Sequence, residues 1–87
     1  MKMTDPSAFD LSALPFAAPG HFYKGNLHTH CTESDGDYPA GEVIRRYHEK
    51  GYDFLALSNH FLECYGFPVT DTRGLRSDDF TTLISAE

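Results

Sequence analysis

With 87 residues, 40% of them hydrophobic and 14% aromatic, the chain has material for one small core and too many large side chains for a disordered segment. A domain of this size buries only about 60% of its unfolded surface, so its stability margin is thin unless metal, partners or further sequence add to it. Thirteen acidic against seven basic residues give a formal net charge of −6, and the basic residues are scattered, which argues against direct contact with nucleic acid.

Two cysteines, Cys31 and Cys64, form neither a disulfide framework nor a CxxC zinc knuckle, so a reducing cytoplasm is expected. Asp5, Pro6, Asp10 and Pro15 interrupt the N-terminal segment, which therefore lacks the charged start and unbroken apolar stretch of a signal peptide. No run approaches the ~20 apolar residues of a membrane span.

In chain order, residues 1–20 carry three prolines and end in Pro19-Gly20, the pattern of an irregular arm; residues 21–87 form the domain. Phe22 to Leu27 suits a first strand, whose polar continuation puts His28 and His30 at its C-terminal end. Asp35-Gly36-Asp37 marks a turn. Val43, Ile44 and Tyr47 recur at helical intervals between Pro39 and Lys50, with Gly51 just beyond, and predict a helix with Glu42, Arg45 and Arg46 on its exposed face. Asp53 to Leu57 reads as a strand buried on both faces, with Phe54, Leu55 and the helical Tyr47 in the core. Phe61 to Asp79, containing Gly66, Pro68 and Gly74, predicts a long loop, and Phe80 to Ala86 a third strand ending at Glu87. Strand, helix, strand, loop, strand is an α/β opening, and such folds build their sites at the C-terminal ends of parallel strands.

The chemistry-bearing residues fall at those ends. In a strand, residues two apart share a face, so His28 and His30 present two imidazoles to one cation while Thr29 points away. A His-x-His pair alone is as often an ordinary strand feature. Asp35, in a turn that glycine permits, folds a carboxylate back towards the same end. His60 closes the second strand, where an imidazole suits a ligand better than an apolar core; the plain alternative is a hydrogen-bonded strand-end histidine. Glu87 closes the third. Mixed imidazole and carboxylate donors suit zinc, iron or manganese. Cys31 and Cys64 lie near these residues and read as packing rather than ligation. Arg73 and Arg76 offer charge to a bound phosphate, or are solvated loop charges answering Asp71, Asp78 and Asp79.

Gly25-Asn26-Leu27-His28-Thr29-His30, Ser34-Asp35-Gly36, the run from Gly51 through Asn59-His60, and Ile84-Ser85-Ala86-Glu87 together resemble the successive motifs of the PHP family, named for polymerase and histidinol phosphatase. The resemblance covers about Gly20 to Glu87 and is nearest to the carbaryl hydrolase-like branch. It implies that residues 21–87 are the N-terminal β-α-β-loop-β part of a distorted seven-stranded (β/α) TIM-like barrel. It also implies two or three divalent ions and hydrolysis of phosphoesters. His28 and His30 would bind one ion, Asp35 and His60 a neighbour, and Glu87 would bridge. Cys31, Asn59 and Ser85 depart from the family pattern, in which Ser or Thr, Asp and Gly are usual. Of these, Asn59 bears most on the site, as an amide where a carboxylate would orient a ligand from behind.

The expected activity is metal-dependent hydrolysis of a small phosphoester by hydroxide generated at the ions. A carbamate or ester hydrolase on the same site is the first alternative, and a non-catalytic metal-binding or regulatory module the second. Because the resemblance implies further strands and ligands beyond Glu87, residues 1–87 alone are expected to lack turnover.

Overall fold

The structure, a computed structural model, describes residues 13–87; the first part of the expected arm lies outside the described residues, and residues 13–20 are irregular and exposed. The ordered elements are strand β1 (Gly25–Thr29), helix α1 (Ala40–Glu49), strand β2 (Phe54–Leu57) and strand β3 (Thr81–Ile84). All three strands are parallel and pair in the order β1-β2-β3, so β2 is central.

The first strand starts later than its hydrophobic pattern predicts. Phe22 and Tyr23 are exposed and lie outside the sheet. Pairing begins where Asp53 receives the Lys24 N–H on its carboxylate at 2.8 Å and donates its own N–H to the Lys24 carbonyl at 2.7 Å. Upstream of that clamp there is no β2 backbone to pair with, and a strand without a ladder has no reason to persist.

Helix α1 matches the expected span. Its N-cap is Pro39, whose missing N–H costs nothing there, and Gly51 follows Lys50 with φ of 83°, a left-handed conformation that glycine adopts without strain. Val43 and Ile44 are buried against the sheet, with Tyr47 packed beside them. On the outer face Glu42 pairs with Arg45 and Arg46, and Arg45 also with Glu49.

The core lies between α1 and one face of the sheet, where Leu55 and Leu57 meet Cys31, Val43, Ile44 and Phe80. Each such large side chain contributes about 1.5–3 kcal/mol relative to exposure. By strand alternation Phe54 and Ala56 point to the opposite face, beside Thr81 and Leu83. Phe54 is therefore only partly buried and is not part of the core against α1, contrary to its expected place. On that side Leu83 is 46% exposed, and no described element covers it.

The long loop between β2 and β3 contains two 3₁₀ turns, Glu63–Tyr65 and Arg73–Leu75. It is tied back through buried hydroxyls: Thr72 Oγ1 donates to Thr82 Oγ1 at 2.7 Å, and Thr70 reaches Asn59. Among the described residues no helix is long and apolar enough to cross a membrane.

Candidate metal centre

Each element delivers its polar residue to one end of the sheet. His28 and His30 leave the end of β1. Past Leu57 the chain stays in register with both neighbours: Ser58 donates its N–H to the Thr29 carbonyl at 2.7 Å, and Glu87 donates its N–H to the Asn59 carbonyl at 3.0 Å. Phe61 returns a bond to the Glu87 carbonyl at 3.0 Å, so the backbone brackets His60 against Glu87.

Asp35 arrives by the turn after β1. Ser34 and Gly36 both donate backbone N–H groups to the Cys31 carbonyl, at 3.1 and 2.9 Å. A Cβ on Gly36 would stand 2.6 Å from the His30 carbonyl carbon and oxygen, so the turn closes on the strand end only because that residue has no side chain. The glycine is needed for close approach rather than for a left-handed backbone.

The five side chains meet. Glu87 Oε2 lies 3.0 Å from His28 Nε2, 2.6 Å from His30 Nε2 and 3.3 Å from His60 Nδ1. The His28 and His30 Nε2 atoms are 3.2 Å apart. Asp35 holds His30 Nδ1 at 2.6 Å through one oxygen and approaches His60 Nε2 at 3.2 Å through the other. Two overlapping groups have metal-compatible spacing: His28, His30 and Glu87, and His30, Asp35 and His60. Tetrahedral zinc with bonds of about 2.0–2.1 Å sets its donors about 3.3 Å apart, so an ion would spread the tightest pair by well under an ångström.

Protonation chemistry distinguishes the two groups. A neutral imidazole has one N–H, and His30 has a carboxylate oxygen at each nitrogen. If Nδ1–H donates to Asp35, Nε2 offers its lone pair on the side where His28 Nε2 and Glu87 Oε2 already sit. A carboxylate that fixes the tautomer and aim of a histidine is the usual partner of a ligating imidazole. Asp35 meets His30 with one oxygen and keeps the other beside His60. Glu87 touches all three imidazoles.

Both carboxylates are ionised at neutral pH. The hydrogen bond from His28 holds Glu87 below the ordinary glutamate range, helped by His30 and His60 and opposed by partial desolvation. Desolvation pushes Asp35 up, but the hydrogen bond from His30 and attraction to His60 and His30 outweigh it and leave Asp35 below its usual value. The centre therefore offers two anions and three imidazoles, a donor set that fits a divalent transition ion. The Ser58 hydroxyl, two residues before His60, is buried and has no hydrogen-bond partner among the described residues.

Asn59, expected behind a ligand, is hydrogen-bonded to the loops around the site. It is 1% exposed and hydrogen-bonds none of the five side chains. Its Oδ1 accepts the Cys31 N–H at 2.8 Å and the Ser34 hydroxyl at 2.7 Å, and its Nδ2 donates to Thr70 Oγ1 at 2.7 Å and Cys31 Sγ at 3.2 Å. Thr70 in turn donates to Glu33. The amide therefore anchors the loop that carries Asp35. The roles of Ser34, Thr70 and Glu33 depend on contacts across 25, 11 and 37 residues of chain, which no local pattern signals.

Arg73 and Arg76 are not brought to the cluster. Arg73 closes on Asp71 at 2.8 Å, which holds the Asp71 carboxyl down to about 2. Arg76 spans to the Thr82 hydroxyl and carbonyl at 3.0 and 2.9 Å, on β3. Both guanidinium groups are spent on loop geometry. Cys31 is fully buried and Cys64 exposed, and neither joins a group with metal-compatible spacing among the described residues. Compared with protein-family models, curated proteins and solved structures, the chain matches none.

Proposed function

We propose that this chain carries the metal centre of a hydrolase, most directly a phosphoesterase of the PHP type. One observation carries the reading: His28, His30, Asp35, His60 and Glu87, from four separate segments, converge at the C-terminal end of a parallel sheet, with Glu87 Oε2 within 3.3 Å of three imidazoles. The order and spacing of the motifs around those residues support the same family.

His28, His30 and Glu87 would hold one zinc, manganese or iron ion, and Asp35 and His60 a second beside it, with Glu87 between. Such ions supply water activation near neutral pH and polarise a phosphoryl or carbonyl oxygen. With its Nδ1–H donated to Asp35, His30 would turn the Nε2 lone pair to an ion, and the Asn59 anchor keeps the Asp35 loop in place. Five donors, one shared, are fewer than the roughly four per ion that two tetrahedral sites take. Water, substrate or further protein groups would fill the remaining positions.

Arg73 and Arg76 are engaged elsewhere, and no Arg or Lys forms an ion pair with the cluster among the described residues. A carbamate or ester substrate on the same site is the second reading, since neither arginine is placed to pair with a phosphate there. The reading is tested by metal analysis of the purified protein and of a His28→Ala/His30→Ala double variant, followed by assays with an aryl phosphate and an aryl acetate. Bound transition metal that disappears in the double variant is the expected result; unchanged stoichiometry overturns the ligand roles. A metal-dependent preference for the phosphate supports the phosphoesterase, and the reverse preference the ester reading. Metal bound tightly with turnover of neither points to a non-catalytic module.

A further inference from the structure

The residue two before His28 should share its face of the strand, yet it faces the other way. In an unbroken strand Asn26, His28 and His30 would all point to one side. Here Asn26 pairs with Leu55 and Thr29 with Leu57, so three steps along β1 match two along β2. The extra residue is a bulge falling on Leu27 and His28. Bulges re-aim side chains beside functional sites. This one sends Asn26 towards α1, where its Nδ2 donates to the Tyr47 hydroxyl at 2.9 Å, while His28 turns to the metal centre.

A bulge leaves a backbone group out of the ladder, and Asn26 deals with this one itself. Its Oδ1 accepts the His28 N–H at 3.0 Å. The orientation of the amide follows from chemistry, because a backbone N–H meets only an acceptor; Nδ2 must then be the atom at Tyr47. One side chain thus ties the backbone of a candidate ligand to a half-buried tyrosine on the only described α-helix.

We propose that Asn26 is a positioning residue for the metal centre, holding His28 in its bulged conformation through the side-chain cap and being held in turn by Tyr47. The proposal rests on the metal-site reading above. His28 is the most exposed of the three imidazoles, with 62% of its side chain accessible, and no other side chain hydrogen-bonds its backbone N–H among the described residues. Its aim therefore depends on the strand backbone more than on packing.

The experiment compares zinc affinity by competition with a chromophoric chelator, the visible spectrum of the cobalt(II)-loaded protein, and the melting temperature of the metal-free protein. Asn26→Ala should weaken zinc binding by about 10- to 100-fold, the usual effect of removing a partner behind a ligand, and change the cobalt spectrum while the metal-free melt barely moves. Asn26→Asp should restore affinity to near wild type, since a carboxylate still accepts the His28 N–H and Tyr47 can donate to it. Tyr47→Phe should fall between, with its cobalt spectrum altered.

Should Asn26→Ala fail to fold, Tyr47→Phe and Asn26→Asp decide. Wild-type affinity and spectrum in Tyr47→Phe, or a loss in Asn26→Asp as large as in a histidine knockout, overturns the proposal. His28→Ala is the control: wild-type affinity there overturns the metal site itself. Loss there with no change in Asn26→Ala overturns only the positioning role.

Discussion

Asn59 shows how one amide sets the geometry of residues it does not touch. Its Nδ2 donates to Thr70, whose single hydroxyl proton is already given to Glu33. A carboxylate at position 59 would compete with Glu33 for that proton and have only the weak Cys31 S–H as a further donor on that side, in a site only 1% exposed. Asn59→Asp should therefore destabilise by about 1–3 kcal/mol, the usual cost of an unsatisfied buried polar group, which for a chain this short is about 4–8 °C in melting temperature per kcal/mol. Burial would raise the introduced carboxyl's pKa above its unfolded value. The sign follows: the penalty is small below the unfolded pKa, where both states are protonated, and grows as pH rises through the window between the two values. Thermal melts of variant and wild type at pH 4 and pH 7 check this, and an equal or smaller loss at pH 7 would count against the relay.

At the scale of elements, α1 has an apolar stripe facing the sheet and an outer charge cluster. Hydrogen bonds from Arg45 and then Arg46 lower the Glu42 carboxyl from 4.5 to about 2. A carboxyl depressed on folding stabilises the folded state above its unfolded pKa and loses that contribution as pH falls through the folded value. Glu42→Gln should therefore flatten the decline in stability between pH 4.5 and about 2 relative to wild type, and change little at pH 7, where exposed ion pairs contribute modestly. Denaturant midpoints across that range read the difference. Parallel acid curves for the two proteins would show that the cluster does not couple to folding. The long loop is anchored by Thr70 and Thr72 and by Arg76 to β3, while Arg73 closes on Asp71 within the loop.

Among the described residues, the sheet is packed on one side by α1 and has no covering element on the other, with Leu27 and Leu83 65% and 46% exposed. The candidate metal centre spans the ends of all three strands, so an ion bound there would add a link to those that the sheet ladders and α1 already make. A ligand at 100 times its Kd adds about 2.7 kcal/mol to folding, which for this length raises the melting temperature by roughly 10–20 °C. Zinc should produce that shift, a chelator should reverse it, and the His28→Ala/His30→Ala double variant should lose it. An equal shift in the double variant would place the stabilising ion elsewhere. Affinity should also weaken as pH falls, because ligating imidazoles must be unprotonated.

The sequence by itself determined whatever depends on near neighbours. Helical spacing in Val43, Ile44 and Tyr47, the Pro39 and Gly51 boundaries, the apolar run of β2 and the strand-end position of each candidate ligand are local properties, and local sterics and periodicity enforce them. Only the tertiary structure decided what depends on pairing across the sheet. The bulge that separates Asn26 from His28 arises from register against β2, which strand alternation in β1 does not encode. Phe54 lost its expected place in the core because α1 covers just one face. Arg73 and Arg76 met Asp71 and Thr82 before they could meet any ligand. Asn59 found its partners in Ser34 and Thr70, brought together by chain closure, and a hydrogen bond between residues far apart in sequence exists only once that closure has occurred.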